Sequence, residues 1–163
     1  MKWLLAMDLD GTVWDHLDIT SAPLPYKKID NSTIESADGT RIKIFNDAIE
    51  FIKWSKNNGA IVTSLSWNVP ENAFEALKIF NIIDLFDYHL IEYHPDKYKL
   101  LLRLLSELKE KNIEINKIVY VDDRDIHVEN IKKFIGNVTF IHIWKEVKNY
   151  DEAKKIVQEK ILK

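Results

Sequence analysis

The 163-residue chain has no cysteine, which excludes disulfides, zinc–thiolate centres and cysteine nucleophiles. Glycine is scarce, with only four residues. With abundant Lys, Glu and Ile, that composition is compatible with a thermophilic source. No dense Lys/Arg tract occurs, and the basic residues of the C-terminal half are interleaved with acids. With a net charge of -3, nothing calls for a nucleic-acid backbone as partner. No apolar run approaches the roughly 20 residues that span a bilayer, so no membrane partner is expected. Met1-Lys2 leads into only five apolar residues before Asp8, which is not a secretory leader, and a cytoplasmic protein is expected. Repeats and low-complexity tracts are also lacking.

What remains is an ordinary globular composition, 46% hydrophobic and 30% charged, long enough for one domain over 1–163 with a substantial core. Its first dozen residues stand out. The apolar run Trp3-Leu4-Leu5-Ala6-Met7 ends in Asp8-Leu9-Asp10-Gly11-Thr12. A buried carboxylate without a partner costs several kcal/mol or gives up its charge. Residues two apart in a strand share a side, so a strand persisting to Asp10 points both carboxylates to one place. Gly11 allows a sharp exit and Thr12 offers a hydroxyl. The alternative is a turn with both acids solvated, and the rest of the chain decides between them.

Strands are predicted at about 2–8, 60–66, 88–92, 117–121 and 138–143. Helices are predicted at 46–57 (capped by Asn46 and ended by Asn58-Gly59), 70–80, 95–111, 127–135 and 151–162, with a short connector at 82–86. Residues 13–43 are irregular, broken by Pro23, Pro25 and Asp38-Gly39. They read as a flap insertion with arms at Val13–Leu17 and Arg41–Ile44. Alternating strands and helices imply an α/β fold, a doubly wound, Rossmann-like parallel sheet flanked by helices, with a small β-flap and no large cap domain.

Ligands on such sheets bind outside the carboxyl ends of the strands. The predicted strands end at Asp8, at Ser66 and at Asp122-Asp123, and Lys97 closely follows the third. Singly, each residue has an ordinary reading. Ser66 is then a turn hydroxyl, Lys97 an exposed helical lysine with Lys99 as competitor, and Asp122-Asp123 a helix cap. Together they suit phosphoryl transfer. Clustered acids hold Mg²⁺, Asp8 attacks phosphorus, Asp10 protonates the leaving group and then activates water, and Ser66 and Lys97 bind the transferred group.

The order Asp-Leu-Asp-Gly-Thr, Ser-ended strand, Lys, Asp-Asp resembles the haloacid dehalogenase superfamily of phosphatases. Within it, the chain is similar to the magnesium-dependent phosphatase type-1 family over about residues 2–145. The likeness includes Trp14 after the first motif, the Asp38-Gly39 turn leading to Phe45, Ser66 seven residues after Gly59, and Ile141-His142-Ile143. The resemblance implies an aspartyl-phosphate on Asp8 and general acid/base work by Asp10. It implies Mg²⁺ ligands from Asp8, Asp10 (through its backbone carbonyl), Asp122 and Asp123, and phosphate or substrate binding by Thr12, Ser66, Trp67 and Lys97. A helix one turn longer than the family's keeps a lysine on its face and favours Lys97 over Lys99. Two departures bear on substrate: Gly11 stands where the family often has an aromatic residue, and Trp67 where it often has Arg.

Without a cap the site should be open. That suits a phosphorylated small molecule such as a phosphosugar, or a phosphoprotein, phosphotyrosine included, handled by a monomer or homodimer. Trp14, His16, Tyr26 and Trp67 are candidates for its rim, unless Trp14 and Tyr26 pack the flap onto the body. His94 and His127 read as surface or capping residues. Competing functions are a phosphoryl-accepting switch, a dehalogenase and a binding module on the same fold. Asp10 argues against the first two, because a switch should avoid an acid that speeds dephosphorylation and a halide needs no proton.

Overall fold

The structure, a computed structural model, describes residues 2–163. Strand β1 (Trp3–Met7) is apolar throughout and buried at every position, as expected for a strand covered on both faces. Its side chains alternate. Trp3, Leu5 and Met7 join one core, with residues of α1 (Asn46–Asn57), α2 (Pro70–Ile79) and α5 (Tyr150–Lys160). Leu4 and Ala6 join a second, with residues of α3 (Lys97–Glu110) and α4 (Val128–Ile135).

The central sheet adds β5 (Ala60–Trp67), β6 (Tyr88–Glu92), β7 (Lys117–Asp122) and β8 (Val138–His142), numbered so that the flap strands below take β2 to β4. Its order is β6-β5-β1-β7-β8 and every pairing is parallel. The chain runs outward from β1 through β5 to β6, then returns to the other side of β1 for β7 and β8. The β1/β7 boundary is therefore the switch point, where loops diverge and leave a crevice at the carboxyl ends. Among the described residues no helix is long and apolar enough to cross a membrane.

The irregular segment folds differently from its sequence reading. Three antiparallel strands, β2 (Lys27–Asp30), β3 (Thr33–Glu35) and β4 (Arg41–Lys43), form a separate small sheet. Val13–Leu17 is a turn rather than an arm, touching the predicted second arm through one bridge, Trp14 to Ile44, with Asp15 N–H donating to the Lys43 carbonyl. The arm that pairs with Arg41–Lys43 is β3, only three residues long, and β2 beyond it is exposed at all four positions, so it has no apolar alternation to read. Trp14 and Tyr26 are buried. Trp14 stacks on Phe80, and both pack the insertion onto the body instead of forming a rim. Asn46 does not cap α1. Phe45 occupies the cap without a side-chain bond, and the Asn46 amide pairs with Ser32.

Helix α1 is fastened through Phe51, which is fully buried between Trp54 and Tyr150, ring centroids 6.1 and 5.2 Å away. Phe51→Ala leaves a cavity the surrounding rings cannot fill, and is expected to cost about 3–5 kcal/mol, measured as a lower urea midpoint with an unchanged denaturant slope.

Candidate active site

One step beyond β1, the alternation that sends Leu4 and Ala6 toward α3 also sends Asp8 there. On β7, Ile118 and Tyr120 share that side, and Asp122 follows in phase. Lys97, the first residue of α3, is 1% exposed and enters between the two acids. Its Nζ lies 2.9 Å from Asp8 Oδ1 and 3.0 Å from Asp122 Oδ2. Lys99 is exposed and pairs with Asp96 instead.

Asp122 also accepts hydrogen bonds from the Tyr120 hydroxyl and, at 3.0 Å, the Arg124 N–H. Burial pushes its pKa up, but Lys97 and these donors outweigh it and hold the carboxyl well below the usual range. Burial and the Asp122 charge raise Asp8, and Lys97 offsets them only in part. Burial lowers Lys97, but Asp8 and Asp122 more than restore its charge. Asp123, half-buried, is raised by burial.

One lysine thus faces three carboxylates. Asp8, Asp122 and Asp123 each offer an oxygen within 4.8 Å of the others. An all-oxygen set of this size fits a hard divalent cation such as Mg²⁺. Gly11 keeps the space clear: with φ at +69°, a Cβ there would lie 2.3 Å from Asp123 Oδ2. Thr12, expected to bind phosphate, is fully buried and occupied elsewhere. Its hydroxyl accepts the Asp123 N–H at 3.1 Å and directs its proton to Asp8 Oδ2 at 3.0 Å, tying the two acidic loops together.

Asp10 is not among the three carboxylates. The strand ends at Met7, so Asp10 lies beyond it, and its carboxylate is bonded by a different set of donors from Asp8. Asp10 Oδ1 accepts from Trp14 Nε1 at 2.8 Å and from the Ile19 N–H at 3.2 Å. Its Oδ2 accepts from Asn68 Nδ2 at 3.0 Å. Burial raises its pKa, opposed by these three bonds. The same Asn68 amide donates to the buried Ser66 Oγ at 2.6 Å. Trp67, next in the chain, is 38% exposed and stands edge-on to His127. His127 is neither a surface nor a capping side chain. It is buried, its Nε2 has no partner among the described residues, and burial together with the Lys97 charge lowers its pKa to about 4. His94 pairs with Glu92 at the surface, and His16 accepts the Asp18 N–H.

Sequence reasoning missed the groups that hold the loops. Trp144 Nε1 donates to the Gly11 carbonyl at 2.8 Å, the Tyr150 hydroxyl to the Thr12 carbonyl at 2.7 Å, and His142 Nε2 pairs with the Asp123 carbonyl. Only Tyr120, in phase two residues before Asp122, carried a readable signal.

The acid phosphatase family model matches residues 1–159. The chain belongs to the acid phosphatase family. It falls in the magnesium-dependent phosphatase type-1 group of the haloacid dehalogenase superfamily and is accordingly a Mg²⁺-dependent phosphomonoesterase. No curated protein matches it. Among solved structures it is similar to the haloacid dehalogenase domain of the effector protein Lem4 from Legionella pneumophila. That likeness has 18% identity and a TM-score of 0.66, covering 99% of this chain and 96% of that one. It is also similar to the N-terminal part of a Bacteroides fragilis protein containing a phosphatase domain complexed with Mg, with 19% identity and a TM-score of 0.54. There the match covers 88% of this chain but only 36% of the other, so this acid phosphatase spans about a third of that N-terminal part. At these identities the likenesses establish the fold.

Two outcomes follow from the site. Gly11→Ala is expected to fold but to weaken Mg²⁺ binding about 10–100-fold, read by calorimetric titration, because the added methyl displaces Asp123. Lys97→Met removes the buried cation and is expected to destabilise the protein by about 3–5 kcal/mol in EDTA. The loss should shrink when Mg²⁺ is added, as chemical denaturation in the two buffers will show.

Proposed function

We propose that this phosphatase hydrolyses exposed phosphate monoesters in two displacements on Asp8, with Asp10 serving both as proton donor and proton acceptor. The observation that carries this reading is the division of the Asp-Leu-Asp motif. Asp8 lies with Lys97 and Asp122, whereas Asp10 is held apart by Trp14, Ile19 and Asn68. A nucleophile and an acid must approach opposite ends of the breaking P–O bond, so they need different positions.

In the first step Asp8 forms a bond to phosphorus as the ester P–O bond breaks, and Asp10 gives its proton to the leaving oxygen. The raised pKa of Asp10 favours the protonated form that this requires. In the second step water attacks the aspartyl-phosphate, Asp10 takes its proton, and the bond from phosphorus to Asp8 breaks. Lys97 and Ser66 hydrogen-bond the transferred oxygens. Asp8, the Asp10 carbonyl and the Asp122/Asp123 pair would hold Mg²⁺, which would supply neutralisation of charge between carboxylate and phosphate.

The substrate class we infer is a phosphoprotein, with a phosphotyrosyl side chain favoured over a phosphosugar. Exposed Leu17, Trp67, Tyr93 and Ile126 lie in or at the head of the loops after β1, β5, β6 and β7, four adjacent strands of one sheet edge. An apolar collar without a cap favours an aromatic ester presented on a larger surface over a polar sugar that must be enclosed.

The test is hydrolysis of p-nitrophenyl phosphate with Mg²⁺ or EDTA, followed by phosphotyrosyl peptides and sugar phosphates. Activity is expected only with Mg²⁺, to vanish in Asp8→Asn, and to fall about 10²–10⁴-fold in Asp10→Asn. Turnover in EDTA or by Asp8→Asn would overturn the mechanism. A higher kcat/KM on sugar phosphates than on peptides would overturn the substrate assignment.

A further inference from the structure

We propose that Asn68 is a positioning residue that aims the Asp10 acid and turns the Ser66 hydroxyl toward the phosphoryl group, its own orientation being set by Thr20. This inference rests on the acid/base reading of Asp10.

The bonds around Asn68 describe one orientation of its amide. Thr20 Oγ1 accepts the Val69 N–H at 3.0 Å, so its single proton is free to go to Asn68 Oδ1, 2.7 Å away. With the amide oxygen turned to Thr20, the amide nitrogen lies on the opposite side. There Nδ2 has two protons and two acceptors, Asp10 Oδ2 at 3.0 Å and Ser66 Oγ at 2.6 Å. The Asn68 side chain is 1% exposed and its backbone N–H donates to the Glu92 carbonyl. Burial leaves little room for water to compete for the amide.

Both acceptors are thereby polarised. Asp10 Oδ1 takes two donors, from Trp14 and Ile19, whereas Oδ2 takes only the Asn68 bond. Oδ2, whose position Asn68 fixes, is therefore the oxygen left open to exchange a proton with the substrate. Ser66 Oγ is committed as an acceptor, and among the described residues nothing accepts its proton. Its O–H is left to donate, which is what a phosphoryl oxygen needs. A single amide thus ties proton delivery to phosphate recognition, and Thr20 reaches it from the insertion across 48 residues of sequence.

The experiment compares two esters, because a misplaced acid matters most when the leaving oxygen is strongly basic. Asn68→Ala is expected to lower kcat/KM about 100-fold on phenyl phosphate but less than about 10-fold on p-nitrophenyl phosphate. It should also weaken competitive inhibition by inorganic phosphate about 10-fold. Thr20→Val should show the same pattern at smaller size, and Thr20→Ser should restore wild-type behaviour. Asp10→Asn is the control: if it too lacks the gap between esters, the acid/base reading fails. If Asp10→Asn shows the gap while Asn68→Ala and Thr20→Val lose equally on both esters, with phosphate inhibition unchanged, the inference is overturned. Should Asn68→Ala not fold, the two Thr20 variants decide alone.

Discussion

Three buried charges meet at Lys97. Its ammonium lies within 3.0 Å of both Asp8 and Asp122, and all three groups are almost wholly removed from water. Taking such ions out of solvent costs several kcal/mol each, and their attraction returns it only when geometry and additional hydrogen bonds are good. That requirement accounts for much of the surrounding architecture. Tyr120 and the Arg124 N–H complete the shell of Asp122, Thr12 completes that of Asp8, and α3 must start where its first side chain reaches both acids. Even so, one cation faces three carboxylates. The unbalanced charge is what a divalent ion would settle, and it argues that the cluster is kept for chemistry rather than for stability.

The backbone around this cluster is held from the far side of the sheet switch. Trp144, Tyr150 and His142 come from the end of β8, the residues after it and the start of α5, and they bond the carbonyls of Gly11, Thr12 and Asp123. Trp144 has φ at +69°, a conformation that costs a bulky residue about 1–3 kcal/mol. Its indole is also packed against Phe45 and Tyr150. The strain is therefore sustained by two aromatic contacts and a hydrogen bond that fixes the turn beside the acids. Loops carrying like charges tend to spring apart, and anchoring their carbonyls to a rigid aromatic shelf opposes that tendency without adding further charge.

Much of this was legible from the residues. The five parallel strands and the helices between them follow from apolar runs and period-3.6 spacing. The strand-end rule alone assembled Asp8, Ser66, Lys97, Asp122 and Asp123 at one edge. Three things were not legible. Strand β2 carries only exposed side chains, so periodicity cannot mark it. The separate hydrogen-bond partners of Asp8 and Asp10 go with the strand stopping at Met7, a boundary that composition does not fix. Asn68, Thr20, Trp144 and Tyr150 act by single hydrogen bonds to backbone or to one side chain. Asn and Thr are common in loops, and aromatic residues are common in cores, so nothing in their type or spacing separates these from ordinary examples.

The divergence of the two aspartates bears on which chemistry this fold supports. Doubly wound sheets host phosphoryl switches, dehalogenases and phosphatases alike, so the fold does not choose among them. The setting of Asp10 does. A switch gains nothing from burying a second carboxyl and surrounding it with three donors, because an acid/base beside the phosphorylated residue shortens the lifetime of its signal. A dehalogenase releases halide, which needs no proton. A phosphomonoesterase must protonate an alkoxide or phenoxide and then deprotonate water. A carboxyl raised by burial, yet restrained by Trp14, Asn68 and Ile19, suits it to exchange a proton in both directions. The insertion supplies Trp14, Ile19 and Thr20 to this arrangement. The segment too small to cap the site thereby takes on a different task, building the environment of the acid rather than enclosing the substrate.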